Sequence, residues 1–183
     1  MTELKIAVFD NMEQCTEEEV QRLLPLVSSQ RREQALRYKH TLGRFCCLKS
    51  WLMLKGLVDE RDSGLMDEWE YNEYGKPSFI HQPSHAIHFS ISHCKQGIAV
   101  VIDDQPVGID IEAIRHADEE LIERVMNEQE RQQIRSNRDF TRLWTGKEAV
   151  VKAQGVGISS FEQLQKVLAE NEEWIVESGG KEN

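Results

Sequence analysis

Three carboxylates and two lysines stand at spacings that suit phosphate chemistry. Asp110 and Glu112 alternate with apolar residues in "VGIDIE" (107–112). Read as a strand, Val107, Ile109 and Ile111 face a core, while Gly108, Asp110 and Glu112 face the other way. Carboxylates two apart on a strand face sit about 7 Å apart at their Cα atoms, so their oxygens can converge on one hard cation. With no His or Cys in the pair, the donors suit Mg²⁺ better than zinc. Gly108 would leave room for a ligand against the backbone. Any polar strand face can present a D-x-E pair, so a third carboxylate adds weight. Glu148 lies in "WTGKEAVVK" (144–152), where Trp144, Glu148 and Lys152 are four apart and stack along one helix face, with Lys147 beside them. A surface Glu148–Lys152 pair would contribute only about 0.3–0.5 kcal/mol and would leave Trp144 on that face unexplained. Magnesium held by a few carboxylates shares its other sites with water and substrate phosphates, for which Lys147 and Lys152 supply charge.

Further polar groups end a neighbouring strand. In "AIHFSISH" (86–93) the residues alternate, with Ile87, Phe89 and Ile91 on one face and His88, Ser90 and Ser92 on the other. Ser92 and His93 close that strand, where a hydroxyl and an imidazole either hold a phosphate oxygen or simply finish it. His81, His85, His88, His93 and Cys94 match no zinc spacing. Cys46 and Cys47 fall in an apolar helix and read as core.

The elements that must carry these groups follow from periodicity. A strand over 4–9 leads to an acidic helix near 16–26, a basic helix near 30–40 and an apolar helix over about 43–57. Gly75 and Pro77 mark a turn in "NEYGKPSF". "FSISH", "GIAVVI" and "VGIDIE", separated by tight turns, predict an antiparallel meander. From 112 onward the order repeats: an acidic helix (118–126), a charged helix (128–136) and a long helix (139–153), capped by Asn137 or Asp139 and stopped by Gly155. The repeat predicts an α+β fold of two similar α/β lobes, 1–104 and 105–183, with the active site between them and a monomer sufficient. A helix or strand is expected within 161–176, and 177–183 reads as a frayed end.

Composition bounds the function. The chain has 183 residues and a formal net charge of −10, which argues against a general nucleic-acid binder. No apolar run reaches the length of a membrane span, and the first residues lack the layout of a signal peptide. Four cysteines without disulfide or zinc-ribbon spacing suit a reduced, cytoplasmic compartment. Charge is unevenly spread: residues 31–55 carry seven basic side chains against Glu33 alone, and 103–130 carry ten acidic ones against Arg115 and Arg124. A basic stretch in an acidic protein is either a solvated helix face or the seat of a particular anion.

Taken in order, "YGKP" (74–77), "FSISH" (89–93), "VGIDIE" (107–112) and "WTGKEAVVK" (144–152) resemble the 4′-phosphopantetheinyl transferase superfamily. The likeness is to the surfactin-type branch in its W-x-x-K-E-A form, and it covers about residues 28–160. It implies that Asp110, Glu112 and Glu148 hold Mg²⁺ against the pyrophosphate of coenzyme A. Lys152 would contact the pyrophosphate with Lys147 nearby, and Ser92 and His93 the phosphates of the nucleotide end. Tyr74 to Pro77, with Lys76, would border the adenine. Arg31 stands where the family has a basic contact for the 3′-phosphate; Gln34 replaces a second basic residue, for which Arg37 or Arg44 would compensate. The chain ends earlier than surfactin-type members do.

The implied reaction moves the 4′-phosphopantetheine arm of coenzyme A to a serine of an apo acyl or peptidyl carrier protein and releases 3′,5′-ADP. This is the holo-acyl-carrier-protein synthase type of reaction. Glu148 is the candidate general base, with a metal-bound hydroxide or Asp110 acting through water as alternatives, and Lys152 its catalytic companion. The W-x-x-K-E-A form resembles members serving fatty-acid or polyketide carriers. A Mg²⁺-dependent phosphohydrolase acting on coenzyme A or a nucleotide would use the same carboxylates with water as nucleophile. A binding protein without turnover would have lost a carboxylate, and all three are present.

Overall fold

The apolar run in the first half winds into a helix at the centre of a buried cluster. The computed structural model describes residues 4–58, 60–81, 86–158 and 160–167. Helix α3 (Thr41–Leu57) buries Phe45, Cys46, Cys47, Leu48, Trp51 and Leu54. Before it come strand β1 (Lys5–Phe9) and two short helices, α1 (Glu17–Leu23) and α2 (Ser29–Leu36). Thr16 and Ser28 cap these helices by accepting the Glu19 and Arg31 amides. After α3, a hairpin of β2 (Trp69–Tyr71) and β3 (Pro77–Phe79) turns through Gly75, whose φ of +82° suits glycine. Strands β4 (His88–Cys94) and β5 (Gly97–Asp103) complete an antiparallel sheet of order β1-β5-β4. Phe9, Phe89, Ile98 and Ile102 join the α3 cluster from one face of this sheet. Ser90 and Ser92 point to the other face, with Val101 and Ala99 beside them.

The second half builds its own apolar cluster, from Ala117, Val125, Met126, Phe140, Leu143, Val151, Leu164 and Val167. Its helices are α4 (Glu119–Val125), α5 (Glu128–Arg131), α6 (Asn137–Gln154) and α7 (Phe161–Val167). Ser136, and not Asn137 or Asp139, is the cap: it accepts the Asp139 amide at the start of α6, and Gly155 ends the helix at φ +69°. The basic helix stops at Leu36 and α5 at Arg131, both earlier than periodicity suggested. Residues 168–183 lie outside the described residues, so the expectations for 168–176 and 177–183 have no structural counterpart here. The chain is α+β, and no described helix is long and apolar enough to cross a membrane.

One expectation is corrected. Residues 107–112 are not a strand of the meander, because β5 already has β1 on one side and β4 on the other. The segment instead crosses the face carrying the serines. The Ile109 amide donates to Ser90 Oγ at 3.2 Å and the Ile111 amide to Ser92 Oγ at 3.3 Å. Amides two residues apart meeting hydroxyls two residues apart keep the segment extended, held by side chains and not by a backbone ladder. Among the described residues no strand follows Asp103, and the two halves share a helix order of short, short and long.

Candidate active site

Three sequence-distant groups meet where the 107–112 segment crosses the sheet. Ser92 Oγ donates to Asp110 Oδ1 at 2.7 Å, and Lys152 Nζ donates to the same oxygen at 2.6 Å and to Ser92 Oγ at 3.0 Å. The Asp110 side chain is only 6% exposed, whereas that of Lys152 is 31% exposed. The second Asp110 oxygen, Oδ2, is buried with no hydrogen-bond partner. Glu148, half-buried one turn before Lys152, has its pKa raised by burial and by Asp110 and then Glu112, against the opposing pull of Lys152 and Arg115. Glu112 itself is exposed.

Gly108 sets how closely these segments approach. A Cβ there would lie 1.9 Å from the Ala149 carbonyl oxygen and 2.5 Å from the Ala153 nitrogen. The space expected for a ligand is filled by the backbone of α6. The absent side chain lets the Asp110 segment lie directly against the helix of Glu148 and Lys152.

The α6 surface divides into two rows. Trp144, Glu148 and Lys152 form the half-buried one, and Leu143, Lys147 and Val151 the buried one. Lys147 is therefore corrected: it is fully buried, pairs with Glu130 Oε2 at 2.7 Å and donates to the Leu164 carbonyl at 2.5 Å. Burial lowers its pKa, partly offset by Glu130. Its apolar neighbours at −4 and +4, with a glutamate in the Asn127–Glu130 capping box, were the available signal.

Other expected contacts are redistributed. Arg31 is buried with its guanidinium carbon 4.4 Å from the Trp51 ring centre and 5.4 Å from that of Trp69. Its donors go to neutral oxygens, namely Cys47 O at 3.0 Å, Gln34 Oε1 at 2.7 Å and Ser50 Oγ at 3.5 Å. Desolvation accordingly lowers its pKa. His93, near the end of β4, has its pKa lowered by burial of its ring and then by the positive charges of Lys152 and Arg31. Arg44 is not free for a phosphate: it closes the α2–α3 turn on Tyr38 O and Lys39 O and pairs with Glu17 at 2.8 Å. Arg37 caps α2 at the exposed surface. Lys76 Nζ is held by the carbonyls of Val107 and Ala153, at 3.3 and 3.0 Å, and is half-buried, which lowers its pKa.

Among the described residues no three His, Cys, Asp or Glu side chains are already gathered round a metal position. The donor set nonetheless fits a hard divalent cation. The unpartnered Asp110 oxygen and the mutual repulsion recorded at Glu148 are both relieved by positive charge, and every donor is an oxygen. His85 lies outside the described residues.

A family model of the 4′-phosphopantetheinyl transferase superfamily matches residues 106–179, the stretch that holds Asp110, Glu112, Glu148 and Lys152. A 4′-phosphopantetheinyl transferase of Bacillus pumilus is 32% identical over 149 residues, covering 77% of this chain and 63% of that protein. One of Aneurinibacillus migulanus is 40% identical over 127 residues, covering 66% of this chain and 50% of the relative. One of Salmonella typhi is 36% identical over 115 residues, covering 58% of each. The chain is thus similar to members of the 4′-phosphopantetheinyl transferase superfamily. Its likeness to the Bacillus enzyme agrees with the surfactin-type branch. It spans between half and two thirds of the length of these relatives.

Two residues beside the site were missed by sequence reasoning. Arg115 lies with its guanidinium carbon 4.6 Å from the Trp144 ring centre, and its charge favours ionised Glu148. Trp144 in turn stacks on Phe140 at 6.2 Å, so the wall beside Glu148 is built from α6 and Arg115 together. Arg115 is one of only two cations in the acidic stretch 103–130, which was its signal. Asn72 had none, because its role depends on a turn meeting a helix end 83 residues away.

Proposed function

We propose that this chain transfers the 4′-phosphopantetheine arm of coenzyme A to a serine hydroxyl of an apo carrier protein and releases 3′,5′-ADP. Support comes above all from the joint contacts of Ser92, Asp110 and Lys152 beside Glu148, which unite three motifs of the superfamily. In this reading the serine oxygen attacks the β-phosphorus of coenzyme A. The bond from that phosphorus to the bridging oxygen breaks, and ADP departs in line. Such transfers depend on positioning and charge neutralisation more than on covalent chemistry. Glu148, its basicity raised by burial and neighbouring carboxylates, takes the serine proton. Lys152 exchanges part of its hold on Asp110 for the pyrophosphate, and His93 with Arg31 receives the phosphates of the nucleotide end. Asp110, Glu112 and Glu148 would hold Mg²⁺, which when bound neutralises phosphate charge.

The lobes are 1–104 and 105–183, the site lies on their seam, and a monomer suffices. The reduced cysteines suit the cytoplasm. The W-x-x-K-E-A form favours the holo-acyl-carrier-protein synthase role on fatty-acid or polyketide carriers. One experiment tests the reading: incubation with coenzyme A and Mg²⁺, with and without a panel of apo carriers, followed by intact-mass spectrometry. A gain of ~340 Da on a carrier is expected. Coenzyme A cleaved without any carrier would replace the transferase by a phosphohydrolase.

A further inference from the structure

A helix leaves its last carbonyls without partners inside the helix. At the end of α6 the Gly155 amide serves Val151 O and Lys152 O, at 3.1 and 3.2 Å. The next acceptors are served from the first half of the chain. Lys76 Nζ donates to Ala153 O at 3.0 Å, and Asn72 Nδ2 donates to Gly155 O at 2.7 Å. A cation in this place is also favoured by the helix dipole. The same Lys76 ammonium reaches Val107 O at 3.3 Å, at the start of the segment that carries Asp110 and Glu112.

The turn that presents Lys76 is itself well determined. Asn72 Oδ1 accepts the amides of Tyr74 and Lys76, at 3.0 and 2.9 Å, while the Asn72 amide donates to Lys76 O at 3.0 Å. Its far side lies against the chain leaving α6. A Cβ on Gly155 would sit 3.3 Å from Lys76 Cδ, and one on Gly157 3.1 Å from the Tyr74 ring. Between the two carbonyls that Lys76 joins, the backbones of Gly108 and α6 touch with no room for a side chain.

We propose that Lys76 is a positioning residue: its ammonium staples the Asp110 segment to the C-terminal end of the Glu148 helix and is not a ligand for a coenzyme A phosphate. The inference rests on the reading of Asp110 and Glu148 as one site. With two of its three donors on carbonyls, Lys76 has little left for an anion, and withdrawing it would free both the start of 107–112 and the last turn of α6.

Hydrogen–deuterium exchange of the full chain without ligand tests this, comparing wild type with Lys76→Met and Lys76→Arg. In Lys76→Met the amides of 107–112 and 151–156 should exchange about tenfold faster or more, with α3 and β5 unchanged. Lys76→Arg, which keeps a cation able to reach two carbonyls, should restore most of the protection. Coenzyme A affinity of the same variants is read by calorimetry. Exchange within about twofold of wild type in both segments would overturn the staple, as would a tenfold loss of affinity with unchanged exchange. Should Lys76→Met fail to fold, Lys76→Gln, whose amide reaches a single carbonyl, reads the same two segments by the same criteria. The exchange measurement needs no substrate, so a chain that modifies no carrier would refute the transferase reading and leave this result standing.

Discussion

Glu148 is held between opposing charges, and that contest makes two separate predictions. Its folded pKa is raised above the ordinary 4.5 by burial, Asp110 and Glu112. A carboxyl raised in this way favours folding most below its unfolded pKa, and the favour is lost as pH climbs through the folded value. At pH 7 the free protein therefore carries the repulsion. Glu148→Gln should make the protein without ligand more stable by about 0.5–2 kcal/mol, read by thermal melts at pH 7. The same change should slow carrier modification by about 10²–10⁴-fold in single-turnover assays, because the base is gone. A rate within about tenfold of wild type would remove Glu148 from that role. His93 has the opposite sign, with a pKa below the usual 6.5 because of burial, Lys152 and Arg31. Phosphates arriving at those cations raise it, so coenzyme A binding near pH 6–7 should take up protons. Calorimetry in buffers of different ionisation enthalpy reads this uptake, and His93→Ala should abolish it.

At the scale of elements, two contacts decide where α6 stands. The first is Gly108, whose substitution by Ala would place a methyl inside the helix backbone. Gly108→Ala should destabilise the protein by about 1–3 kcal/mol, the usual range for forced overpacking, and lower activity by separating Asp110 from Glu148. Urea melts and turnover should report both losses together. The second is the buried Lys147–Glu130 pair, with side chains 0% and 5% exposed, which ties α6 to α5 and, through Leu164 O, to α7. Removing one partner strands the other charge in the core. Lys147→Met or Glu130→Gln should each cost about 3–5 kcal/mol. The double change Lys147→Met with Glu130→Leu should recover part of that loss in the same melts, because neither charge is then left unpaired.

Across the whole molecule, two apolar clusters are joined by a polar seam. Residues from Val20 to Ile102 build one, and residues from Ala117 to Val167 the other. The seam holds the Ser92–Asp110–Lys152 contacts, the Lys76 staple and the Gly108 approach. A ligand that bridges the cations of β4 and α2 and the carboxylates beside α6 engages both clusters at once. Coenzyme A at about 100 times its Kd should then stabilise the chain by about 2.7 kcal/mol, a Tm rise of roughly 5–10 °C. Differential scanning fluorimetry across a coenzyme A series reads it, and an unchanged Tm would count against binding on the seam.

Sequence alone determined what local rules control. The 3.6-residue rows made α3 and α6 legible, alternation did the same for β4 and β5, and Gly155 marked the end of α6. Asp110, Glu112, Glu148 and Lys152 were singled out because their residue types and spacing are themselves the chemistry. Alternation could not say whether 107–112 pairs at a sheet edge or lies on a sheet face, because both need the same period of two; the Ser90 and Ser92 hydroxyls that accept the Ile109 and Ile111 amides decided it. Charge could not say whether Lys147, Arg44 and Lys76 serve a ligand or the fold. A cation's role is set by what lies within about 4 Å of it, and those partners, Glu130, Glu17 and the Val107 and Ala153 carbonyls, come from elsewhere in the chain. Long-range contact is what tertiary structure supplies, and here it separated the lysine that faces the carboxylates from those that hold them in place.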